Sequence, residues 1–405
     1  MDIVTHAASG ALVALALPRM PATRWAVPLF CLAACLPDLD ILLCSSPALF
    51  ISLHRGFSHS LLFAPVLALV AATLSRPLWR SSTYHNLSLG RLWLLFLGCL
   101  LIHLGLDCVT TFGTRIFLPF SEMRVRLNAV FIVDPFLTVP LLALVVWGCF
   151  SRRLRRRLGC IGLVWLALYP CVCLGLNHVN SRMLETELAA ENRNISHMTM
   201  LPDFFTPFYW RAVYVETMPD GCQVVREQSL GGLGRLRGSA ASYTHLPEDL
   251  ALHLAAQSTE CRDFLEMMLL PVMRPMSVRN IAAARVALGF LPDRDALPDF
   301  NRPVCFPNLD HDGHAAAGLA NYECDGLKYF VLTDLRFGSG LALGRELLAM
   351  RPRAGRPFRL LVVLDGEDNV LLERMVFSDI RKDTGWKRPV PPEPQTFLNW
   401  LVGIN

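Results

Sequence analysis

Six apolar segments fill most of the first 180 residues of this 405-residue chain, and they restrict its fold more than any other feature. A helix needs about 20 apolar residues to cross a bilayer. The last four segments approach this length, whereas the first two are short and leave open whether they span. The sequence therefore predicts an α-helical membrane bundle with about four to six transmembrane segments. The segments cover residues 6–18, 25–37, 58–75, 91–108, 131–150 and 158–177.

After the last apolar segment the composition changes, and most acidic residues of the chain follow. Residues 208–217 and 327–337 have the β-branched and aromatic bias of strands. FRLLVVL and VLLERMVF flank DGEDN, which indicates a hairpin, and residues 246–270 favour helix. We therefore predict a helical membrane domain over residues 1–180 and a soluble α+β domain over residues 181–405.

Three connections between the apolar segments contain basic residues and no acidic ones. If all six segments cross, these connections lie on one side, which the positive-inside rule makes cytoplasmic. We expect a multi-pass protein of a bacterial inner membrane, with its C-terminal domain extracytoplasmic. The basic connections should contact anionic lipid, and no nucleic acid partner is expected. Their basic residues are Arg19 and Arg24, then Arg76, Arg80 and Arg91, then the run SRRLRRR at 151–157.

Nine of the thirteen cysteines precede residue 180 and lie mostly in apolar runs, where cysteine behaves as a small hydrophobe. The other four could form disulfides only in an oxidising compartment. A disulfide between the two that flank HDGH at 311–314 is favoured over a metal site in that loop, which is expected to be a solvated turn. The four are Cys222, Cys261, Cys305 and Cys324.

Ionisable side chains gather at those ends of the apolar segments that should face the outer side. Each such group costs about 2.5–3.5 kcal/mol at the centre of a membrane helix. His103 and Asp107 are four residues apart, so both lie on one helix face. HRGFSHS at 54–60 contains two histidines and an arginine around Gly56, which permits a sharp bend.

Imidazole nitrogens and carboxylate oxygens together suit zinc, iron or manganese. A divalent ion would bind the histidines and compensate the carboxylates at the membrane edge. We therefore predict a site for one divalent ion or several. The histidines and carboxylates gathered at this edge are His6, Asp38, Asp40, His54, His59, His103, Asp107 and Asp134.

Some of these residues also have ordinary structural interpretations. Thr5 and His6 could cap the first helix or lie at the interface. Asp134 precedes Pro135, a pattern typical of a helix N-cap, and this role is as well supported as a place in the site. Arg55 could anchor the chain at the membrane interface. For His103, a purely structural role is disfavoured because it pairs with Asp107 and HRGFSHS.

The motifs resemble those of the YdjM-type family of membrane-bound predicted metal-dependent hydrolases, over about residues 1–180. This resemblance implies distant kinship with zinc-dependent phospholipases C and single-strand nucleases, and it makes zinc the expected ion. The ligand positions that it implies are His6, Asp38, His54, His59, His103 and Asp107. In those enzymes the amine of an N-terminal tryptophan is a ligand of a three-ion site. This chain begins MDIVTH, without that tryptophan, which favours one or two ions over three. The matching motifs are TH at 5–6, PDLD at 37–40, HRGFSHS at 54–60, HLGLDCVTTFG at 103–113 and VDP at 133–135.

The resemblance and the edge position together predict a hydrolase, in which a divalent ion lowers the pKa of a water that attacks phosphorus or a carbonyl carbon. Asp40 or Asp38 would accept the proton, and Arg55 would neutralise the developing oxyanion. A lipid or lipid-linked phosphoester is the expected substrate, because its scissile bond lies at this depth. The alternative is a non-catalytic metal-binding transporter or sensor, although transporters usually place ligands near the bilayer midplane.

Overall fold

The computed structural model describes residues 1–18, 25–79, 88–231, 236–289, 323–324, 326–337, 358–377 and 383–392. Several predictions concern residues outside these ranges. They are those for the HDGH loop, Cys305, Arg19, Arg24 and Arg80.

Seven α-helices occupy the described part of the N-terminal region. Two short 3-10 helices interrupt them: Pro37–Leu43, which contains the PDLD motif, and Phe57–His59, which lies within HRGFSHS. The α-helices are α1 Ile3–Ala16, α2 Ala26–Cys35, α3 Pro47–Leu53, α4 Ala64–Trp79, α5 Leu89–Cys108, α6 Pro135–Phe150 and α7 Arg155–Ala190.

Two of these helices, α5 and α7, are long and apolar enough to cross a membrane. Two bent pairs could each add one span: α2 with the 3-10 helix after it, bent by 61°, and the segment from α3 to His59 with α4, bent by 77°. The described helices thus provide two to four candidate spans. Helices α1 and α6 are apolar but have only 14 and 16 residues, so six crossings remain a prediction.

Helix α1 lies against α2, α5, α6 and α7, and glycines make its closest contacts. A Cβ atom on Gly10 would collide with the Phe30 carbonyl of α2. On α7, a Cβ atom at Gly159 would meet the backbone of Ala16 at 2.5 Å. Small residues allow helix backbones to approach closely, which is a common way for membrane helices to associate.

The C-terminal region contains an antiparallel sheet, with nine strands in its described part. The strand order is β1-β2-β3-β4-β5-β7-β8-β9, and β6 pairs with β7. The predicted strand at 208–217 and the predicted hairpin around DGEDN are both confirmed. The strands are β1 Asn194–Pro202, β2 Tyr209–Thr217, β3 Gln223–Gly231, β4 Leu236–His245, β5 Pro271–Pro275, β6 Glu323–Cys324, β7 Leu327–Asp334, β8 Phe358–Leu364 and β9 Val370–Phe377.

In the described part of this region, three α-helices accompany the strands: α8 Glu248–Gln257, α9 Thr259–Met267 and α10 Val278–Ala287. The helical segment predicted at 246–270 is two helices, because the Ser258 side chain accepts a hydrogen bond from the Cys261 backbone and starts a new one. Cys222 and Cys261 are free thiols.

The helical region and the sheet region share packed surfaces. Helix α7 continues past the predicted boundary at residue 180 to Ala190. Phe50 and Phe112 of the helical region belong to one apolar core with Phe358 of β8. Arg336 donates hydrogen bonds to the carbonyls of Thr111 and Phe112, at 2.9 and 3.1 Å. The sheet region therefore supports the loop that directly follows α5.

Candidate metal centre

Four predicted ligands lie together at the meeting point of three elements. One ligand atom from each of these residues lies within 4.8 Å of the others. Asp38 comes from the 3-10 helix after α2, His59 from the 3-10 helix before α4, and His103 and Asp107 from α5. The last three side chains are fully buried, and Asp38 is 11% exposed. The cluster could hold a metal ion.

His103 is oriented by a neighbouring helix. Its Nδ1 lies 2.6 Å from the carbonyl oxygen of Ala34 on α2. A carbonyl only accepts, so we assign the proton of the neutral ring to Nδ1. The lone pair of Nε2 then points into the cluster, where it lies 3.1 Å from His59 Nε2 and 3.4 Å from Asp107 Oδ2.

His59 is held from its other side by Asp40. His59 Nδ1 lies 3.4 Å from Asp40 Oδ2 and 2.9 Å from the Ser58 hydroxyl, which itself donates to Asp40 at 2.6 Å. His59 Nε2 faces Asp38 Oδ1 at 3.4 Å. Asp38 and Asp40 thus contact opposite nitrogens of one imidazole ring. Such a carboxylate behind a ligand histidine fixes its tautomer and orientation.

The predicted catalytic arginine contacts the cluster directly. Arg55 forms an ion pair with Asp107 Oδ1 at 2.8 Å and donates to the Thr110 hydroxyl at 3.1 Å, and its Nε has no hydrogen-bond partner. The amino group of Met1 contacts the same Asp107 oxygen. Asp107 Oδ2 accepts no hydrogen bond and lies 3.2 Å from His59 Nε2.

The remaining two predicted ligands lie next to the group of four. The His6 ring stacks on His103 at 3.7 Å, its Nε2 is 3.3 Å from Asp107 Oδ1, and neither ring nitrogen has a hydrogen-bond partner. His54 Nδ1 is bonded to Asp40 at 2.8 Å. Metal ligation by His6 and His54 therefore stays a prediction.

Two structural interpretations from the sequence can now be compared with the contacts. Asp134 caps α6 by accepting from the backbone of Phe136 and Leu137, which is the N-cap role. For α1 the cap is Asp2, and Thr5 instead donates its hydroxyl to the Asp2 carboxylate. The proposed capping role of Thr5 is wrong because the helix begins three residues earlier than that role requires.

Sequence reasoning did not single out Ser58, Thr110 or the Ala34 carbonyl, although each orients a site residue. Ser58 stands between the two histidines of HRGFSHS, and Thr110 follows Asp107 by three residues. Their positions inside the polar motifs are a usable signal. Nothing in the sequence marks a backbone carbonyl such as that of Ala34.

The donor set fits a divalent cation. With protons on both Nδ1 atoms, two imidazole lone pairs and two carboxylates face one another within 4.8 Å. Acceptors in this arrangement repel one another unless a positive charge lies between them. Two imidazole nitrogens and two carboxylate oxygens suit zinc, iron or manganese.

The fold and the cluster define a helical membrane protein with a candidate metal centre among its helices. A family model described as YdjM inner membrane protein matches residues 1–181, so this part of the chain is similar to that family. The chain is 30% identical over 135 residues to the uncharacterized protein YfhP of Bacillus subtilis (strain 168). That match covers 33% of this chain and only 37% of the relative. No solved structure matches the chain.

Proposed function

We propose that the protein is a membrane-embedded metal-dependent hydrolase that acts on a lipid or lipid-linked phosphoester. The observation that carries the proposal is the group formed by Asp38, His59, His103 and Asp107, which would hold the ion. When bound there, a zinc ion would lower the pKa of a water molecule and polarise the bond to be cleaved. The outer face of a bacterial inner membrane is the proposed location.

Arg55 is suited to the negative charge that develops during hydrolysis. Arg55 is 2% exposed, its guanidinium lies at the edge of the cluster, and one N–H of that group has no partner. A preorganised donor in a water-poor site stabilises a developing oxyanion more strongly than water does. Arg55 is therefore proposed to bind the reacting phosphoryl or carbonyl oxygen.

Asp40 and Asp38 were both candidates for the proton acceptor. Both oxygens of Asp40 already interact with His54, Ser58 and His59. We therefore assign Asp40 a positioning role toward His59. Asp38 is the more exposed member of the group of four, so it is the better placed of the two carboxylates to take a proton from an entering water.

The surroundings of Asp38 support a lipid-like substrate. The 3-10 helix that carries it also presents Leu42 and Leu43, which are 81% and 71% exposed. Large apolar side chains rarely remain this exposed to water, and they favour contact with lipid chains. A substrate with an acyl or prenyl chain could therefore approach the partly exposed side of the cluster from the bilayer.

The test begins with the metal content of detergent-purified full-length protein, measured by elemental analysis. We expect about one or two divalent ions per chain, with strongly reduced content in His103→Ala and in the double variant His59→Ala, Asp107→Ala. Asp134→Asn is the matched control, because this buried carboxylate caps α6 and is not one of the four clustered residues, so the variant should leave the content unchanged. Equal metal content in all four proteins would refute the metal centre.

Hydrolysis is then tested with phosphodiester and lipid phosphoester substrates in the same variants. We expect activity that chelation abolishes, that zinc restores, and that Arg55→Lys lowers without loss of metal, since lysine lacks the planar guanidinium. Metal binding without hydrolysis, together with metal flux into proteoliposomes, would contradict the hydrolase assignment and support a metal transporter.

A further inference from the structure

A polar cavity of about 300 Å³ lies between the loop after α5 and helix α9. The loop contributes Arg115, Arg124 and Arg126, together with Glu122. Helix α9 contributes Asp263 and Glu266, which are three residues apart and therefore on one helix face. The cavity thus has a mainly basic side and an acidic side.

Each of the three arginines has a buried side-chain nitrogen without a hydrogen-bond partner. Within the described ranges, none of the three guanidinium groups has a carboxylate oxygen within 4.0 Å. Arg115 is 5% exposed, and its buried Nε has no hydrogen-bond partner. One buried terminal nitrogen of Arg124 and one of Arg126 also have no hydrogen-bond partner. Buried donors without partners are rare in folded proteins and destabilise them unless a ligand or water binds there.

Two of these guanidinium groups are fixed in place by the helical region. Arg115 contacts the carbonyl of Ser52, and Arg124 donates to the carbonyl of Ile51 at 2.9 Å. Their remaining N–H groups are therefore preorganised, which reduces the entropy lost when an anion binds. Guanidinium groups bind phosphate oxygens in a two-pronged geometry.

Within the described part of the chain, neither carboxylate of the acidic side forms an ion pair within 4.0 Å with an arginine of the cavity. Asp263 Oδ1 accepts no hydrogen bond, and the cation paired with it is Arg262 at 3.5 Å. Burial raises the pKa of the Asp263 carboxyl to about 6, and burial also raises that of Glu266. An ammonium group placed between these two carboxylates would stabilise their charged forms.

We propose that this cavity binds a zwitterionic phosphate compound, with its phosphoryl group on Arg115, Arg124 and Arg126 and its ammonium group on Asp263 and Glu266. Phosphoethanolamine is the simplest compound with this chemistry. A soluble phosphoester and a lipid headgroup share it. The site is separate from the metal cluster, and the binding does not depend on hydrolysis there.

The test uses calorimetric titration of the full chain in detergent with O-phosphoethanolamine and with inorganic phosphate. Arg126→Gln should raise the Kd for both probes about tenfold or more, because one charge-assisted hydrogen bond is lost. Arg126 is preferred because, unlike Arg115 and Arg124, it bonds to no other described residue. Glu266→Gln should raise the Kd for phosphoethanolamine only. Arg182→Gln, on the exposed side of α7, is the control and should change neither Kd.

The source of the ligand is found by repeating the titration in nanodiscs of phosphatidylglycerol with or without phosphatidylethanolamine. Weaker binding of free phosphoethanolamine when the ethanolamine lipid is present would identify a lipid headgroup, and unchanged binding would identify a soluble phosphoester. Unchanged unfolding temperature and metal content in the variants would show that they fold. Absence of saturable binding of both probes, or equal Kd values for wild type and Arg126→Gln, would overturn the proposal.

Discussion

The Nε2 atoms of His59 and His103 lie 3.1 Å apart in the core of the helical region. The Ala34 carbonyl and the Asp40 carboxylate lie beside the opposite nitrogens of the two rings. With the protons there, two lone pairs point at each other, and neither can donate a hydrogen bond. A cation between them would turn this repulsion into ligation, so the helices should pack better with metal than without it.

The first prediction is that metal stabilises the fold. An ion that binds only the folded chain and is present at about 100 times its Kd adds about 2.7 kcal/mol to the unfolding free energy. Chelation should therefore lower the unfolding temperature of the wild-type protein in detergent. In His103→Ala, chelation should have no effect. A chelator effect of equal size in both proteins would locate the stabilising metal elsewhere.

The second prediction concerns the carboxylate behind His59. Asp40→Asn keeps the size of the side chain but removes its charge, so the His59 ring loses its strongest acceptor. Loss of such a supporting group usually weakens metal affinity about 10- to 100-fold. Competition with a chromogenic chelator measures this change. Asp134→Asn should keep wild-type affinity, and an Asp40→Asn protein with wild-type affinity would contradict the positioning role.

Much of this site could be predicted from sequence, because polar residues in apolar segments stand out. The spacing of His103 and Asp107 placed both on one face of α5, as the structure has them. It could not be predicted that Asp38 would lie in the group of four candidate ligands while Asp40 would contact the opposite nitrogen of His59. They lie in a 3-10 helix, in which residues two apart face different directions. The sequence pattern does not show whether this segment is a 3-10 helix, an extended segment or the end of an α-helix.

The fold of the C-terminal region was predictable where local pattern decides the structure. Strand β2 and the β8–β9 hairpin have β-branched residues and turn residues that favour them regardless of context. The order of strands across the sheet depends on long-range pairing, such as that of β5 with β7, and no local signal encodes it. The same holds for the packing of Phe358 on Phe50, which are 5.8 Å apart between ring centres.

A third prediction tests the packing of α1. Gly10→Ala would place a methyl group against the Phe30 carbonyl and 2.9 Å from the Ala34 Cβ atom, so α1 and α2 must move apart. Overpacking of this kind costs about 1–3 kcal/mol. It should also weaken metal binding, since Ala34 orients His103. Gly98→Ala is the control because nothing lies within 4 Å of its added methyl, and a stability loss of the same size there would remove the packing argument.

The fourth prediction concerns orientation in the membrane. The basic run at 151–157 covers the residues just before α7 and its first turn, and α7 is long enough to span, so the positive-inside rule predicts that the C-terminal region lies outside the cytoplasm. A C-terminal alkaline phosphatase fusion should be active in bacterial cells, and a C-terminal green fluorescent protein fusion should be dark. The reverse pattern would move the C-terminal region into the cytoplasm.

The fifth prediction is a pH dependence of stability that arises from Glu373 in β9. This side chain is 1% exposed, and burial raises its pKa from 4.5 to about 7. The Ser258 hydroxyl contacts its carboxylate, the Cys261 thiol lies at 3.6 Å, and the nearby charges of Glu260 and Lys387 oppose each other. The folded chain thus holds a proton on Glu373 more tightly than the unfolded chain does.

It follows that the Glu373 contribution to stability is fully present below about pH 4.5 and is lost as the pH rises through about 7. Glu373→Gln imitates the protonated form, so its unfolding free energy should exceed that of the wild type above pH 7 by up to about 3.5 kcal/mol, at about 1.4 kcal/mol per pKa unit between 4.5 and about 7. The difference should shrink toward pH 5, as followed by chemical unfolding at several pH values. If the difference instead grew on acidification, Glu373 would be held as a charged group, and the burial argument would fail.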